Sequence, residues 1–247
     1  SRGALLEGFP MTESVSSPSP RKRLLVVAPA MVLPFIASFF YFVLFPGTSF
    51  GTACYSGIKV WLLLWPFVAV LLLLREPLIN RSLTKRHRAS LFPGFLSGIL
   101  VVGLLFFLVK GTPLSGVLDE NAENIADRIH DLGIAEHYLW FALFISFFHA
   151  ALEEFYWRWF VFGQLSRVIA IPLAHLIAAA AFASHHVVVL SQFFPLGWAF
   201  FLGFCVGVGG FVWSWLMNRY HSLLGAWVSH MIIDLGLMWI GWEALMR

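Results

Sequence analysis

Ionisable residues interrupt three long apolar stretches in the second half of this sequence. They are His149, Glu153, Glu154 and Arg158 on the first stretch, His175, His185 and His186 on the second, and His230 and Asp234 on the third. An ionisable group at the centre of a bilayer costs about 2.5 to 3.5 kcal/mol even on lenient insertion scales. Groups that persist there usually pair with one another or line a functional cavity, so these positions predict a working site.

Helical spacing separates the two adjacent glutamates. Residues four apart share a helix face, whereas neighbours diverge by about 100°. Glu154 therefore lies over Arg158 and can form an ion pair with it. Glu153 points elsewhere, with His149 one turn before it, and is the carboxylate left for chemistry.

Counting along the helices brings the three stretches to one depth. Glu153 and His186 both lie about 14 residues from the same membrane surface. His230 and Asp234, which are four apart and share a face, lie within about two turns of that depth. A carboxylate with a nearby imidazole in a shielded pocket that water can reach is able to activate water, which predicts a hydrolase.

The elements that position these residues must be membrane-spanning helices. The chain is 60% hydrophobic and 12% charged, and its mean hydropathy is +0.82, so its solvent is mostly lipid. Apolar runs reach the roughly 20 residues that a spanning helix needs, and the alternating pattern of a membrane barrel is absent. We predict an all-α polytopic membrane protein with spans near 24–45, 58–74, 91–109, 137–165, 171–190, 196–217 and 222–242.

The sequence divides into five segments. We expect residues 1–10 to be a remnant of cloning before a native start at Met11, 11–23 to be a disordered basic tail, and 24–110 to hold the N-terminal spans. Residues 111–136 form an acidic connection outside the membrane, and 137–247 form the catalytic core. Ile125, Ile129 and Leu132 recur at helical spacing in the connection. It therefore holds either a further helix, short or at the surface, which would allow eight spans instead of seven, or a solvated acidic loop.

Three motifs resemble those of the CAAX protease and bacteriocin-processing family, in its Rce1-like form. Residues 153–158 read EEFYWR and fit EExxxR, 182–186 read FASHH and fit FxxxH, and 230–234 read HMIID and fit HxxxN/D. Each motif is weak alone, but the three occur in the family's order on successive spans that carry polar residues. The resemblance implies an intramembrane glutamic endopeptidase that uses no metal or other cofactor.

The resemblance also assigns roles. Glu153 would be the general base and His186 would help to hold the attacking water, with His185 in a neighbouring packing role. Glu154 and Arg158 would support that geometry.

The last motif would supply the pair that stabilises the oxyanion, His230 and Asp234. Many relatives have Asn at the second of these positions, and an ionised Asp cannot donate a hydrogen bond. Either Asp234 is protonated, or it only orients His230.

The implied partners are the lipid bilayer and a substrate that is a membrane-associated or exported protein or peptide. The small net charge of +3 does not indicate a nucleic-acid partner, and the sequence does not specify an oligomeric state. Lys and Arg precede the first span and cluster between the second and third, which predicts a cytoplasmic N-terminus. The short chain and the absence of organelle signals favour a bacterial inner membrane.

Two other classes of function use the same residues. A zinc-dependent intramembrane protease could bind its metal through His149, Glu153, His186 and His230, although the sequence has no HExxH motif. A transporter or a non-catalytic immunity protein could use the buried carboxylates and histidines as a proton relay.

Overall fold

The computed structural model describes residues 17–78, 87–111 and 114–246, and within these ranges the chain is helical, without strands. Seven of its helices are long and apolar enough to span a membrane, which confirms the predicted all-α polytopic fold. We number the helices α1 (Pro20–Leu44), α2 (Ser49–Leu73), α3 (His87–Gly111), α4 (Leu114–Asp131), α5 (Ala135–Leu165), α6 (Ile171–Leu190), α7 (Leu196–Tyr220) and α8 (Leu224–Leu245). All but α4 are candidate spans.

The first helix begins earlier than the apolar run does. The hydroxyl of Ser19 accepts a hydrogen bond from the Lys22 backbone N–H, and Pro20 occupies the first helical position, where its missing N–H costs nothing. The basic residues 21–23, which the sequence placed in a disordered tail, therefore form the first turn of α1. The predicted remnant and residues 11–16 of the predicted tail lie outside the described residues.

The second helix also begins earlier, at Ser49 rather than at residue 58. The Thr48 hydroxyl caps it by accepting a hydrogen bond from the Gly51 backbone N–H (3.1 Å). The small and polar residues that follow lower the local hydropathy and hide this part of the span from a search for apolar runs. Lys59, near the edge of the predicted span, is thereby placed in the middle of the observed one.

The acidic connection contains a helix, α4, so the first of the two alternatives for this segment is correct. Ile125 and Ile129 are buried in a small cluster with Tyr138, while the acidic residues lie on the other face. Asn124 and Arg128 donate hydrogen bonds to carbonyls in the turn between α6 and α7. These contacts fix α4 across that end of the bundle.

Close backbone contact joins α3 to α8 and so sets the position of α8. A Cβ added to Gly94 would lie 2.2 Å from the carbonyl oxygen of Gly225, and one added to Gly225 would lie 2.4 Å from that of Ser90. Only glycine permits such an approach at these two positions. On the other side of the site, the Tyr156 hydroxyl of α5 donates to the Ala30 carbonyl of α1 (2.8 Å).

An ion-pair network closes the end of the bundle opposite α4. Arg23 of α1 donates to both carboxylate oxygens of Glu76 and to Gln164, and Arg167 donates to Glu76 (2.7 Å). A left-handed residue, Arg75 (φ 55°), turns the chain after α2 and presents Glu76 to both arginines. We call these four residues, Arg23, Glu76, Gln164 and Arg167, the Glu76 network.

The network controls the charge state of Glu76. Burial by itself raises the pKa of this carboxyl, but the hydrogen bonds and positive charges of Arg23 and Arg167 outweigh that effect and hold the pKa below its usual range. The ends of α1, α2 and α5 are thus joined through one ionised carboxylate.

Candidate active site

Helix α5 carries the two glutamates at a change in its winding. Two segments, Ile145–His149 and Glu154–Phe162, form wide π-type turns, and Glu153 lies between them. Such turns are frequent at functional sites because they redirect side chains within an otherwise regular helix. The side chains of Glu153 and Glu154 are both buried, at 4% and 1% exposure.

Glu154 is held by two partners. Its Oε1 atom lies 3.2 Å from Nη1 of Arg158 and accepts a hydrogen bond from Nδ1 of His230 (2.8 Å). The Arg158 guanidinium packs between the rings of Phe182 (4.2 Å) and Trp213 (4.8 Å). The ion pair expected from the spacing is therefore present, and it is enclosed by aromatic side chains.

Glu153 has a different environment, because imidazoles surround its carboxylate at slightly more than hydrogen-bond length. Nε2 of His185 lies 3.6 Å from Oε1, Nε2 of His149 lies 3.8 Å from Oε1, and Nε2 of His230 lies 3.8 Å from Oε2. Contacts of this length between polar groups are typically completed by a bridging water where water has access. The two glutamates thus have different contacts, as their helical spacing predicted, and the catalytic role of Glu153 stays a prediction.

His230 joins the two glutamates and Asp234. Because Nδ1 donates to Glu154, the ring's other nitrogen, Nε2, is directed toward Glu153 and toward Oδ2 of Asp234 (3.6 Å). Its ring stacks on Trp213 with the centroids 4.0 Å apart. Spacing predicted that His230 and Asp234 share a face, but it gave no sign that His230 binds Glu154 across the bundle.

The two adjacent histidines of α6 both reach the site. His186 donates from Nδ1 to the Phe182 carbonyl (3.0 Å), which leaves Nε2 with a lone pair. His185 stacks on Trp157 and also faces Glu153, so the packing role assigned to it from sequence is incomplete. The remaining histidine of α6, His175, is hydrogen-bonded to Ser214 away from the site.

The same region could hold a cation. Glu153, His185 and His186 offer ligand atoms that all lie within 4.8 Å of one another, the one such group within the described ranges. His149 and His230, which the zinc hypothesis also used, are not members of it. One carboxylate and two imidazoles are a ligand set that catalytic zinc sites use.

A lysine from the first half of the chain also reaches the site. Nζ of Lys59, at the middle of α2, lies 2.9 Å from Nε2 of His149 and 4.9 Å from the centre of the Tyr55 ring. The sequence interpretation missed this residue because it began the span at residue 58. The capping residue Thr48 was the signal that could have revealed it.

The comparison with protein families concerns the second half of the chain. Residues 135–236 match the model described as type II CAAX prenyl endopeptidase Rce1-like. These residues form an Rce1-like domain. The domain runs from the start of α5 into α8 and contains every residue of the three motifs, whereas Lys59 lies outside it. No curated protein and no solved structure matched the chain.

The Rce1-like domain sets the general class of activity. With seven candidate spans, the chain is an integral membrane protein, and its Rce1-like domain supports a peptidase of the CAAX protease type in general, whose substrates would be proteins at the membrane.

Proposed function

We propose that this protein is an intramembrane glutamic endopeptidase in which Glu153 activates the attacking water. The observation that carries the proposal is the contrast between the glutamates. Glu154 is committed to Arg158 and His230 by short contacts, while Glu153 is equally buried but makes no contact to an imidazole shorter than 3.6 Å. A general base must be held in place and still have a lone pair for the substrate water.

Each step has a residue to perform it. Glu153 takes a proton from water while the water oxygen attacks the scissile carbonyl carbon, with Nε2 of His186 as a second acceptor that orients the water. His230 acts in its doubly protonated form: its Nδ1–H donates to Glu154, and its Nε2–H donates to the developing oxyanion beside Asp234. Glu153 then returns its proton to the departing amine as the C–N bond breaks.

The polar ends of the bundle support an orientation. The Glu76 network and the contact between His87 and Ser222 place the basic first turn of α1, the end of α2 and the start of α3 at one end of the bundle. By the positive-inside rule we assign this end, and the N-terminus, to the cytoplasm of a bacterium, and the α4 end to the outer face of its inner membrane. The substrate is then a membrane-associated or exported protein.

The test begins in cells and ends with purified protein. Bacteria that make either the wild-type protein or Glu153→Ala are compared by proteomics for a membrane or exported protein that stays uncut in the variant. That protein is then incubated with purified enzyme in detergent. We expect Glu153→Ala and His186→Ala to abolish cleavage, and His175→Ala, which alters a buried histidine outside the site, to retain it.

A folded Glu153→Ala protein that cleaves at the wild-type rate would contradict the proposal. Proton flux in liposomes without any cleaved product would instead support the relay function.

A second candidate function, a zinc-dependent peptidase, is favoured by the grouping of Glu153, His185 and His186. It predicts about one zinc ion per chain in the purified protein and loss of cleavage after chelation, with recovery when zinc is added. The glutamic mechanism predicts unchanged cleavage under chelation. His185→Ala separates them further, because it removes a ligand from the zinc site but leaves the water-orienting nitrogen of His186.

A further inference from the structure

Lys59 is a cation at mid-membrane depth without an anionic partner of its own. Its span runs from Ser49 to Leu73, which places Lys59 more than two turns from either end. Among the described residues no carboxylate lies within ion-pair distance of Nζ; its contacts are the His149 imidazole and the face of the Tyr55 ring. A charge at this depth is costly and marks a functional position.

The chemistry of the contact with His149 leaves donors free. An ammonium has three N–H donors and no acceptor, so Nε2 of His149 must accept from Lys59 and the ring proton of His149 must lie on Nδ1. His149 therefore cannot donate from Nε2 to Glu153, and it separates the lysine from the catalytic carboxylate. Two N–H groups of Lys59 remain for another acceptor.

The surroundings indicate where that acceptor comes from. Lys59, Tyr55 and His149 are only partly buried, and Tyr55 stacks on Tyr41 of α1 with the centroids 4.6 Å apart. Two stacked tyrosine rings thus lie beside the partly exposed Lys59, and its partner His149 lies 3.8 Å from Glu153. Lipid tails cannot satisfy an ammonium, whereas a substrate carboxylate can.

The distances limit how far this carboxylate is from the reacting bond. Nζ of Lys59 lies 2.9 Å from Nε2 of His149, which lies 3.8 Å from Oε1 of Glu153, so Nζ and Oε1 are no farther apart than these distances together. An extended chain advances about 3.3 to 3.6 Å per residue. The span from Lys59 to the reacting carbonyl therefore corresponds to about one to three residues.

We propose that Lys59 binds a carboxylate of the substrate within about three residues of the scissile bond and thereby selects where the chain is cut. The carboxylate is either the substrate's C-terminus or an acidic side chain. The position relative to the cut rests on the proposed function; the binding of the carboxylate does not.

Binding is measured first, in the Glu153→Gln variant, because its slow turnover leaves the probes intact during the measurement. The probes are N-dodecanoyl tetrapeptides of apolar residues with a free C-terminal acid, with a C-terminal amide, and with a C-terminal amide plus one aspartate at the third residue. We expect one carboxylate-bearing probe to bind at least about tenfold more tightly than the plain amide, as charge-assisted hydrogen bonds do. A preference for the acid probe identifies the C-terminus, and a preference for the aspartate probe identifies a side chain.

Adding Lys59→Met should abolish the preference, Lys59→Arg should keep it, and Lys22→Met, which removes a lysine from the exposed first turn of α1, should leave it unchanged. If Lys59→Met does not fold, Lys59→Gln replaces it, since glutamine keeps an N–H donor but no charge. The inference is overturned if the plain amide binds as tightly as both other probes, or if Lys59→Met retains the preference.

Cleavage of the same probes by proteins with Glu153 intact then separates the two proposals. We expect Lys59→Met to lower kcat/KM for the preferred probe at least about tenfold more than it lowers kcat/KM for the plain amide. A carboxylate preference that depends on Lys59, with no cleavage of any probe or of the cellular substrate, would refute the proposed function and leave the inference about Lys59 standing.

Discussion

The adjacent glutamates offer a matched pair of substitutions, Glu153→Gln and Glu154→Gln. Each replaces a buried carboxylate by an amide of nearly the same shape. Glu154 accepts from His230 at 2.8 Å and faces Arg158 at 3.2 Å, so its loss leaves a buried guanidinium without a counter-charge. Breaking a buried pair in this way costs about 3 to 5 kcal/mol. The glutamine oxygen can still accept from His230, so we expect the lower end, about 3 kcal/mol.

Glu153→Gln should behave in the opposite way. None of the three imidazole contacts of Glu153 is shorter than 3.6 Å, so we expect the free energy of unfolding to fall by no more than about 1 kcal/mol. The amide cannot accept the water proton as a base, and loss of a general base lowers the rate about 10²- to 10⁴-fold. One substitution should therefore reduce stability and the other should reduce catalysis.

The two quantities are measured on the same preparations. The free energy of unfolding comes from titration of the purified proteins with SDS in mixed micelles, followed by tryptophan fluorescence. The rate comes from single-turnover cleavage of the cellular substrate by wild type and Glu153→Gln. The reasoning is refuted if Glu153→Gln destabilises as much as Glu154→Gln does, or if it keeps more than a tenth of the wild-type rate.

Substitutions at three further sites, with their controls, test other parts of the structure. Asp234→Asn should retain cleavage, because an amide N–H can donate to the oxyanion, while Asp234→Ala should lose about 10²- to 10³-fold; equal loss in both would show that the carboxylate itself is required. Gly94→Ala should lower the midpoint of SDS unfolding because its Cβ would meet the backbone of α8, whereas Gly103→Ala on the same helix, with nothing within 4 Å, should not. Glu76 has a lowered pKa when folded, so its stabilisation is complete above the pKa of the unfolded chain, about 4.5, and is lost as pH falls through the folded pKa. Unfolding midpoints of wild type and Glu76→Gln should accordingly differ at pH 7 and converge below pH 4.5, and a difference that does not change with pH would count against the network.

Much of the fold was accessible from sequence because lipid imposes a strict rule. A span must be a long apolar helix, so hydropathy located seven spans. The first residues of the helices were harder to predict from the sequence. Ser19 and Thr48 each cap a helix through a single hydrogen bond, which a hydropathy profile does not detect. For α2 that error concealed Lys59.

The site shows the same division between local and long-range information. Spacing within one helix was enough to predict that Glu154 pairs with Arg158 and that His230 shares a face with Asp234. The bond from His230 to Glu154 joins residues 76 positions apart, and it depends on how α8 packs against α3. No periodicity in a single sequence encodes such a contact.

The residues of the Glu76 network are far apart in the sequence and are therefore synthesised at different times. Arg23 is made first, Glu76 follows 53 residues later, and Gln164 follows 141 residues after Arg23. A buried arginine needs a counter-charge, and Glu76 is synthesised before α5. Arg23 can therefore pair with Glu76 before α5 leaves the ribosome. We therefore expect the first two spans to form a hairpin in the membrane before α5 and the later spans join them. The second arginine, Arg167, reaches Glu76 only when α5 is complete, so the network closes as a late step of biosynthesis.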